Sequence, residues 1–455
     1  MKKPVAILIV TSAIFALGYF AGLENRQIIS ATIFSLFISS TLLFWRFRLA
    51  FAFLGIVGLF LSGVLDIKNL LEYANFDIIL FLIGMMTAVG FLEKRHFFEY
   101  LINKLSKIGN NARKLMVIIM LLSGLFGALI DEVTSVLFMV SIMLQLVKKY
   151  KLNPIPFILM IVFATNIGSS ATVVGNPIGV LIAFRGGLTF TDFLRWASPI
   201  SMVALALCIL ISILYFSKDI KALDKLLSEK NDTNTAREIP RRDIITSYVY
   251  ILFSMPILVF HTVIENIFHL QKNTMLLGAA FIAAGLALII DRKNAKALFV
   301  KSVDWWTLIF FALFFASVGT LKYVGTIDVV GKWMINLAGG SDKLLFFIFT
   351  GATAALTPIV DNVLVAAVFI PVIKTVASLG YNDFPIWWGM LFSGCLFGNL
   401  TMVGSTANIV AVGMLEARGF EVSLKDWIKA GAIISIVTLA VAILLIYIQI
   451  PLMVK

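Results

Sequence analysis

The chain has 455 residues, 60% of them hydrophobic and 14% charged, with a net charge of +12. A soluble globular chain carries roughly 25% charged residues, so a soluble fold is excluded and an all-α polytopic membrane protein is predicted. The basic excess reads as a topology signal and not as a nucleic-acid surface.

Apolar runs able to cross a ~30 Å hydrocarbon core as helices lie near residues 5–22, 27–45, 50–66, 77–92, 157–184, 197–216, 244–262, 274–290, 304–321, 384–414 and 431–450. These give about eleven transmembrane helices. The first has the basic start of a secretory signal but no small-residue cleavage site, so residues 1–26 are read as a retained, peripheral helix. With the N-terminus cytoplasmic, eleven spans leave the C-terminus outside. Of the 37 Lys and Arg residues, 27 then face the cytoplasm, as the positive-inside rule requires. The predicted location is the cell membrane.

Two further apolar segments, 115–147 and 344–378, do not count as simple spans. The first is bounded by Arg113 and Lys114 at one end and by Lys148 and Lys149 at the other. Both ends are then cytoplasmic, so the segment is predicted to be a re-entrant hairpin with its tip near "IDEVTS". The second would enter from outside, with its tip near "LTPIVDN". The tips carry Asp131, Glu132 and Asp361 in otherwise apolar surroundings. A charge at the bilayer centre costs ~3 kcal/mol or more. Non-helical backbone at that depth must be buried in protein or line an aqueous cavity.

The spans 157–184 and 384–414 are too long for an ordinary crossing and contain "TNIGSSATVVGNPIG" and "GNLTMVGSTAN". Gly168, Gly175, Pro177, Gly179, Gly398 and Gly404 permit unwinding there. Unwound carbonyls suit cations, and the helix N-termini beyond a break suit anions.

The charged stretch 217–243 reads as a cytoplasmic linker between two similar halves. "ALIDEVTSVLF" matches "PIVDNVLVAAVF" with Asp131 opposite Asp361, an offset of 230. "ATVVGN" matches "LTMVGS" at an offset of 229, and "TFTDFLRW" matches "SLKDWIKA" at 234. This is an internal duplication, 27–216 and 244–455. Each copy holds five spans, an odd number, so the second is inverted relative to the first, a signature of secondary transporters.

Other residues read as structural. Cys208 and Cys395 each sit in an apolar span as packing residues, and their number rules out a disulfide framework. Asp192 and Asp426 are read as helix caps, and Trp305, Trp306, Trp387 and Trp388 as interface anchors. His96 falls in an interfacial stretch, while His261 and His269 flank an outer loop. An intramembrane aspartyl protease would show Gly-x-Gly-Asp, a rhomboid protease Gly-x-Ser-Gly, and an ATP-driven pump a phosphate-binding glycine loop; the chain has none of these.

In "ALIDEVTSVLFM", "TNIGSSATVVGNPIGV", "TPIVDNVLVAAVFIPVI" and "NLTMVGSTANIVAVGMLEARGFEVSLKDW" the chain resembles the ion transporter superfamily. The branch is that of arsenite permeases, NhaD-type sodium/proton antiporters, the P protein and citrate–metal carriers. The resemblance extends over nearly everything after the first span. It implies a homodimeric elevator-type carrier with ion sites between each hairpin tip and the broken helix of the same repeat. One site would use Asp131, Thr134, Asn166, Ser169, Ser170 and Thr172, with Glu132 adding charge. Its mate would use Asp361, Asn362, Asn399, Thr401, Ser405 and Thr406. In the P-protein-like branch the tip is commonly Asp-Asn; here Glu132 stands in place of that Asn.

Two functions follow. In a cation-coupled carrier of a small anion, Na+ or H+ would bind the acids. The anion would then lie among Ser135, Gly175, Asn176 and Pro177 from the first half and Thr357, Gly404, Ser405, Thr406 and Asn408 from the second. In a Na+/H+ antiporter the same acids would bind both cations in competition. The two opposed breaks, with their anion-binding amides, favour the first. Arsenite efflux is a weaker alternative, since nothing marks a thiol or arsenic site. No enzyme activity is expected, nor any cofactor or metal beyond the transported or coupling ion. The partners are a small ion, the lipid bilayer and a second copy of the chain.

Overall fold

The computed structural model describes residues 2–100, 111–150, 152–228 and 239–453. Every regular element among the described residues is a helix. Seven described helices are long and apolar enough to cross a membrane: Asn25–Leu43, Phe76–Lys94, Ala112–Leu129, Phe190–Tyr215, Arg241–Val259, Trp305–Tyr323 and Leu424–Leu452. Seven shorter apolar helices accompany them, including both pieces of the segment 155–186.

The chain divides into two compact units. The first comprises Met1–Ile83, Val303–Ile348 and Ala367–Asp383. At its centre the Trp305–Tyr323 helix packs on Asn25–Leu43 and Arg48–Leu61. Phe34 and Phe37 meet Phe314 at ring-centroid distances of 5.9 and 6.2 Å. Arg48 donates to the Thr307 hydroxyl at 2.9 Å and lies over the Trp45 ring, which offsets the cost of holding a guanidinium among apolar helices. At the far end of Trp305–Tyr323, Lys322 donates to Asp328 and, at 2.8 Å, to Thr375.

The second unit comprises Gly84–Ser302, Phe349–Ala366 and Phe384–Lys455. Its axis is a pair of short helices that are apolar all round and therefore buried all round: Ile155–Ser169, with every residue from Phe157 onward buried, and Phe384–Phe397, buried from Pro385 to Leu396. This explains a departure from the sequence reading. Trp387 and Trp388 are 1% and 0% exposed and belong to this core, not to an interface. Trp388 sits edge-on to Phe193 and Phe384 at 5.0 and 5.9 Å. Trp306, at 45% exposure, does present its ring outward.

The helices Ala112–Leu129 and Glu132–Tyr150 form a hairpin. Phe126 and Phe138, one on each arm, approach to 6.2 Å, and Phe98 touches both. Asn111 caps the first arm through the amides of Arg113 and Lys114. That arm lies against Ile155–Ser169 at closest approach through glycines: a Cβ on Gly168 would overlap the Gly124 backbone. In the second half, Asp342–Leu356 leads through a Thr357–Val360 turn to Asn362–Ser378.

Asp192 does cap, as the third residue of a capping box: Thr189 N–H donates to its carboxylate at 2.8 Å, and its own N–H donates to the Thr189 hydroxyl at 3.1 Å. The first part of the stretch read as a linker is an amphipathic helix, Ser217–Ser228, and Asp224 in it accepts from the Ala112 amide at 2.8 Å. Residues 229–238 of that stretch, like 101–110 of the charged segment after the fourth span, lie outside the described residues.

Candidate ion-binding site

Both helix breaks and both hairpin turns lie in the second unit. The first break falls between Ile155–Ser169 and Pro177–Gly186, the second between Phe384–Phe397 and Thr406–Glu416. Each distal helix restarts at a polar cap. Asn176 accepts from the Ile178 amide at 2.8 Å, and Ser405 accepts from the Ala407 amide at 3.2 Å. Pro177 occupies the first helical position, where a missing N–H costs nothing.

The bonds that hold hairpin to break are the same in the two halves. The Thr172 hydroxyl donates to the Ala128 carbonyl, and the Thr401 hydroxyl donates to the Pro358 carbonyl at 2.6 Å. Gly175 lies where a Cβ would meet the Ser169 and Gly127 carbonyls; Gly404 lies likewise against the Gly398 backbone. At each tip an aspartate caps the second arm. Asp131 Oδ1 accepts from the Thr134 amide at 2.8 Å, and Asp361 Oδ1 accepts from the Val363 amide at 3.0 Å. Asp361 is 1% exposed and also accepts from the Thr406 hydroxyl at 2.7 Å, whereas Asp131 is only half-buried.

At the centre is Glu132, 1% exposed. Its carboxylate accepts from Asn176 Nδ2 at 2.6 Å, from Ser405 Oγ at 3.2 Å and from Ser169 Oγ at 3.4 Å. Asn176 and Ser405 are the caps of Pro177–Gly186 and Thr406–Glu416, so this carboxylate is bound by the cap side chain of each distal helix. Asp361 and Asp131 act on it electrostatically, and no ion pair joins it to a Lys or Arg among the described residues.

A second layer links the two breaks. Asn166 Nδ2 donates to Asn399 Oδ1 and to Asn408 Oδ1, both at 2.7 Å, and its Oδ1 accepts from Ser405 at 3.4 Å. Asn408 donates to the Gly398 and Thr401 carbonyls at 2.9 and 2.8 Å, satisfying backbone that the break leaves unpaired. The remaining residues picked out from sequence lie at the margin. Ser170 turns to Ser201 at 2.7 Å, and Thr357 donates to its own helix at the Thr353 carbonyl. Ser135 and Asn362 are fully buried, and neither the Ser135 hydroxyl nor either end of the Asn362 amide has a partner among the described residues.

Two contributors were not picked out. Cys395 Sγ lies 3.4 Å from Asn176 Nδ2, and Trp427 Nε1 donates to the Asn399 carbonyl at 3.0 Å. Sequence held a signal for the first: at the offset of 229 that relates the similar segments, Cys395 is the counterpart of Asn166.

An all-helical membrane chain with hairpin turns facing broken helices around a buried polar centre is a membrane transporter. Residues 34–335 and 318–454 match the family described as citrate transporter (CitMHS), and the chain belongs to that family, within the ion transporter superfamily. It is 31% identical over 375 residues to an uncharacterized transporter of Mycobacterium tuberculosis, covering 81% of this chain and 85% of that protein. It is 24% identical over 439 residues to the human P protein, covering 80% of this chain and 52% of that protein. The crystal structure of the YdaH transporter of Alcanivorax borkumensis shares the fold, with a TM-score of 0.58 at 14% identity over 88% of this chain and 89% of that one.

Proposed function

We propose that this transporter is a secondary carrier in which Glu132 and Asp361 bind the coupling cation, Na+ or H+, and that it exchanges one of these for the other. The observation that carries this reading is the seat of Glu132. Its carboxylate accepts from the cap side chains of both distal helices, Asn176 and Ser405, residues that sequence reasoning reserved for a substrate anion. With two buried carboxylates at one centre, the species that lowers the energy of the site is a cation. Thr406, Ser169 and Asn176 supply further oxygen and amide groups around them.

A cation-coupled carrier of a small anion is the second reading. It is favoured by the buried Asn362 amide, which has donors and an acceptor to offer, and by the family's description as citrate transporters. In that case bound cations would neutralise the acids before the anion enters.

Equivalent bonds at an offset of 229 or 230 support treating the halves as an inverted repeat. That both tips and both breaks belong to one compact unit supports an elevator movement, in which the site travels as one body. The homodimer, the cytoplasmic N-terminus and the cell-membrane location are proposed with it, the last two on the distribution of Lys and Arg.

The test uses proteoliposomes loaded with a pH-sensitive dye. A Na+ gradient imposed without added anion is expected to change internal pH, and the change is expected to vanish in Glu132→Gln. No pH change, together with Na+-driven uptake of an added carboxylate, would overturn exchange in favour of the second reading.

A further inference from the structure

A cavity of about 440 Å3 lies in the second unit, behind the first hairpin and outside the polar centre. Its walls are the Met85–Leu92 stretch of Phe76–Lys94, residues Leu125–Ile130, the Tyr250–Val259 stretch of Arg241–Val259, and Ala279 and Ala283. Among the described residues no charged side chain lines it. The hydroxyls that do are committed inside the protein. Thr172 donates to Ala128, Tyr250 to the Ala283 carbonyl at 2.9 Å, and Ser254 to the Tyr250 carbonyl at 2.8 Å. A buried water needs two to four polar partners and finds no donor here.

We propose that this cavity holds one acyl chain of a membrane phospholipid. Its size suits that occupant: a cavity of ~150 Å3 takes one benzene, so this one has room for a chain of ~18 carbons by the same ratio. Leu125, Leu129 and Leu194 keep 48, 40 and 44% exposure at the wall, so the way in is apolar, as an opening toward the bilayer requires. A free fatty acid would need a cation for its carboxylate, and the wall has none among the described residues. A phospholipid keeps its headgroup at the membrane surface and sends in only hydrocarbon. The chain would rest on Leu129 and Ile130, the two residues before Asp131 and Glu132, and on Thr172 of the first break. It would therefore buttress the hairpin tip from the side opposite the ion.

The experiment is photolabelling of the full-length protein in proteoliposomes doped with a phosphatidylcholine that carries a diazirine in one acyl chain, read by peptide mass spectrometry. Label is expected on Met255, Leu258 and the Leu125–Ile130 segment. It is expected to fall at least tenfold in the cavity-filling variants Ala283→Phe and Met255→Trp. Label on Leu252 and Phe253, which face outward on the same helix at 70 and 65% exposure, should not change. Two variants are used because one of them could fail to fold. Absence of label inside the cavity, equal labelling with and without the filling residues, or labelling by a diazirine fatty acid but not by the phospholipid would each overturn the proposal.

Discussion

Replacing Glu132 with glutamine isolates the charge from the fold. The carboxylate takes part in three hydrogen bonds, from Asn176, Ser405 and Ser169. Asn176 cannot turn its amide over, because its Oδ1 holds the Ile178 amide at 2.8 Å. A glutamine must therefore point its carbonyl at Asn176 and its NH2 toward Ser405. Ser405 can accept that NH2 and direct its own proton to Asn166 Oδ1, already 3.4 Å away. Each partner of the carboxylate keeps a bond, so the variant should unfold within about 1 kcal/mol of the parent. The cation loses a charged ligand, worth ~1.5–3 kcal/mol as a charge-assisted contact, which is a ~10- to 150-fold loss of apparent cation affinity. The assay is Na+-dependent transport in proteoliposomes, with Na+-dependent thermal stabilisation in detergent as a second readout. Asp131→Asn is the comparison. Asparagine caps a helix as well as aspartate does, so it should weaken apparent cation affinity at least tenfold less than Glu132→Gln. A folded Glu132→Gln protein with parental Na+ dependence would refute the assignment, and so would an Asp131→Asn defect as large.

Three further substitutions probe the frame around the site. Asn166→Ala strands the Oδ1 atoms of Asn399 and Asn408, each ~1–3 kcal/mol to leave buried without a donor. The thermal midpoint should fall by several degrees, and an unchanged midpoint would show that the bridge between the breaks is not structural. Gly168→Ala pushes a methyl group into the Gly124 backbone and should cost ~1–3 kcal/mol by overpacking, seen as reduced yield of monodisperse protein on size-exclusion chromatography. Thr172→Val and Thr401→Val remove equivalent bonds to Ala128 and Pro358, so their losses of thermal stability should match, each ~1–3 kcal/mol. A clear difference between them would argue against equivalent roles for the two halves.

The places where the chain breaks were legible because glycine, proline and small polar residues interrupt apolar runs, and the duplication located them twice. What sequence could not decide was which of two adjacent acids points inward. Asp131 and Asp361 align, and both do cap the second arm of a hairpin. Asp361 uses its other oxygen on Thr406, while in the first half the inward carboxylate is that of the next residue, Glu132. Adjacent positions at a helix start differ by about 100° in direction, and that rotation is set by how the arm packs, not by local composition. The tryptophans failed for a related reason. An aromatic pair near the end of an apolar run suggests an interface, but Phe384–Phe397 is surrounded on every side and its first turn is buried with the rest. Cys395 gave no local signal of its own, because its part in the site depends on the approach of Asn176 from the other half.

The bonds that repeat between halves and those that do not divide the site by role. The repeated ones run from hydroxyl to carbonyl or from backbone amide to cap side chain, and they fix backbone: Thr172 with Thr401, Asn176 with Ser405, Asp131 with Asp361. The unequal ones involve the central residues Glu132, Asn166 and Asn399, whose counterparts in the other half are Asn362, Cys395 and Ser170. Two independent ion sites, one per repeat, would call for similar ligand sets in each. Here the one central glutamate reaches from the first half to Ser405, the cap of a helix in the second, and Asn166 makes the same crossing to Asn399 and Asn408. A change of charge at Glu132 is therefore felt at the start of Pro177–Gly186 and of Thr406–Glu416 together. For the proposed carrier this argues for one shared centre, at which a bound cation or proton would act on both broken helices at once.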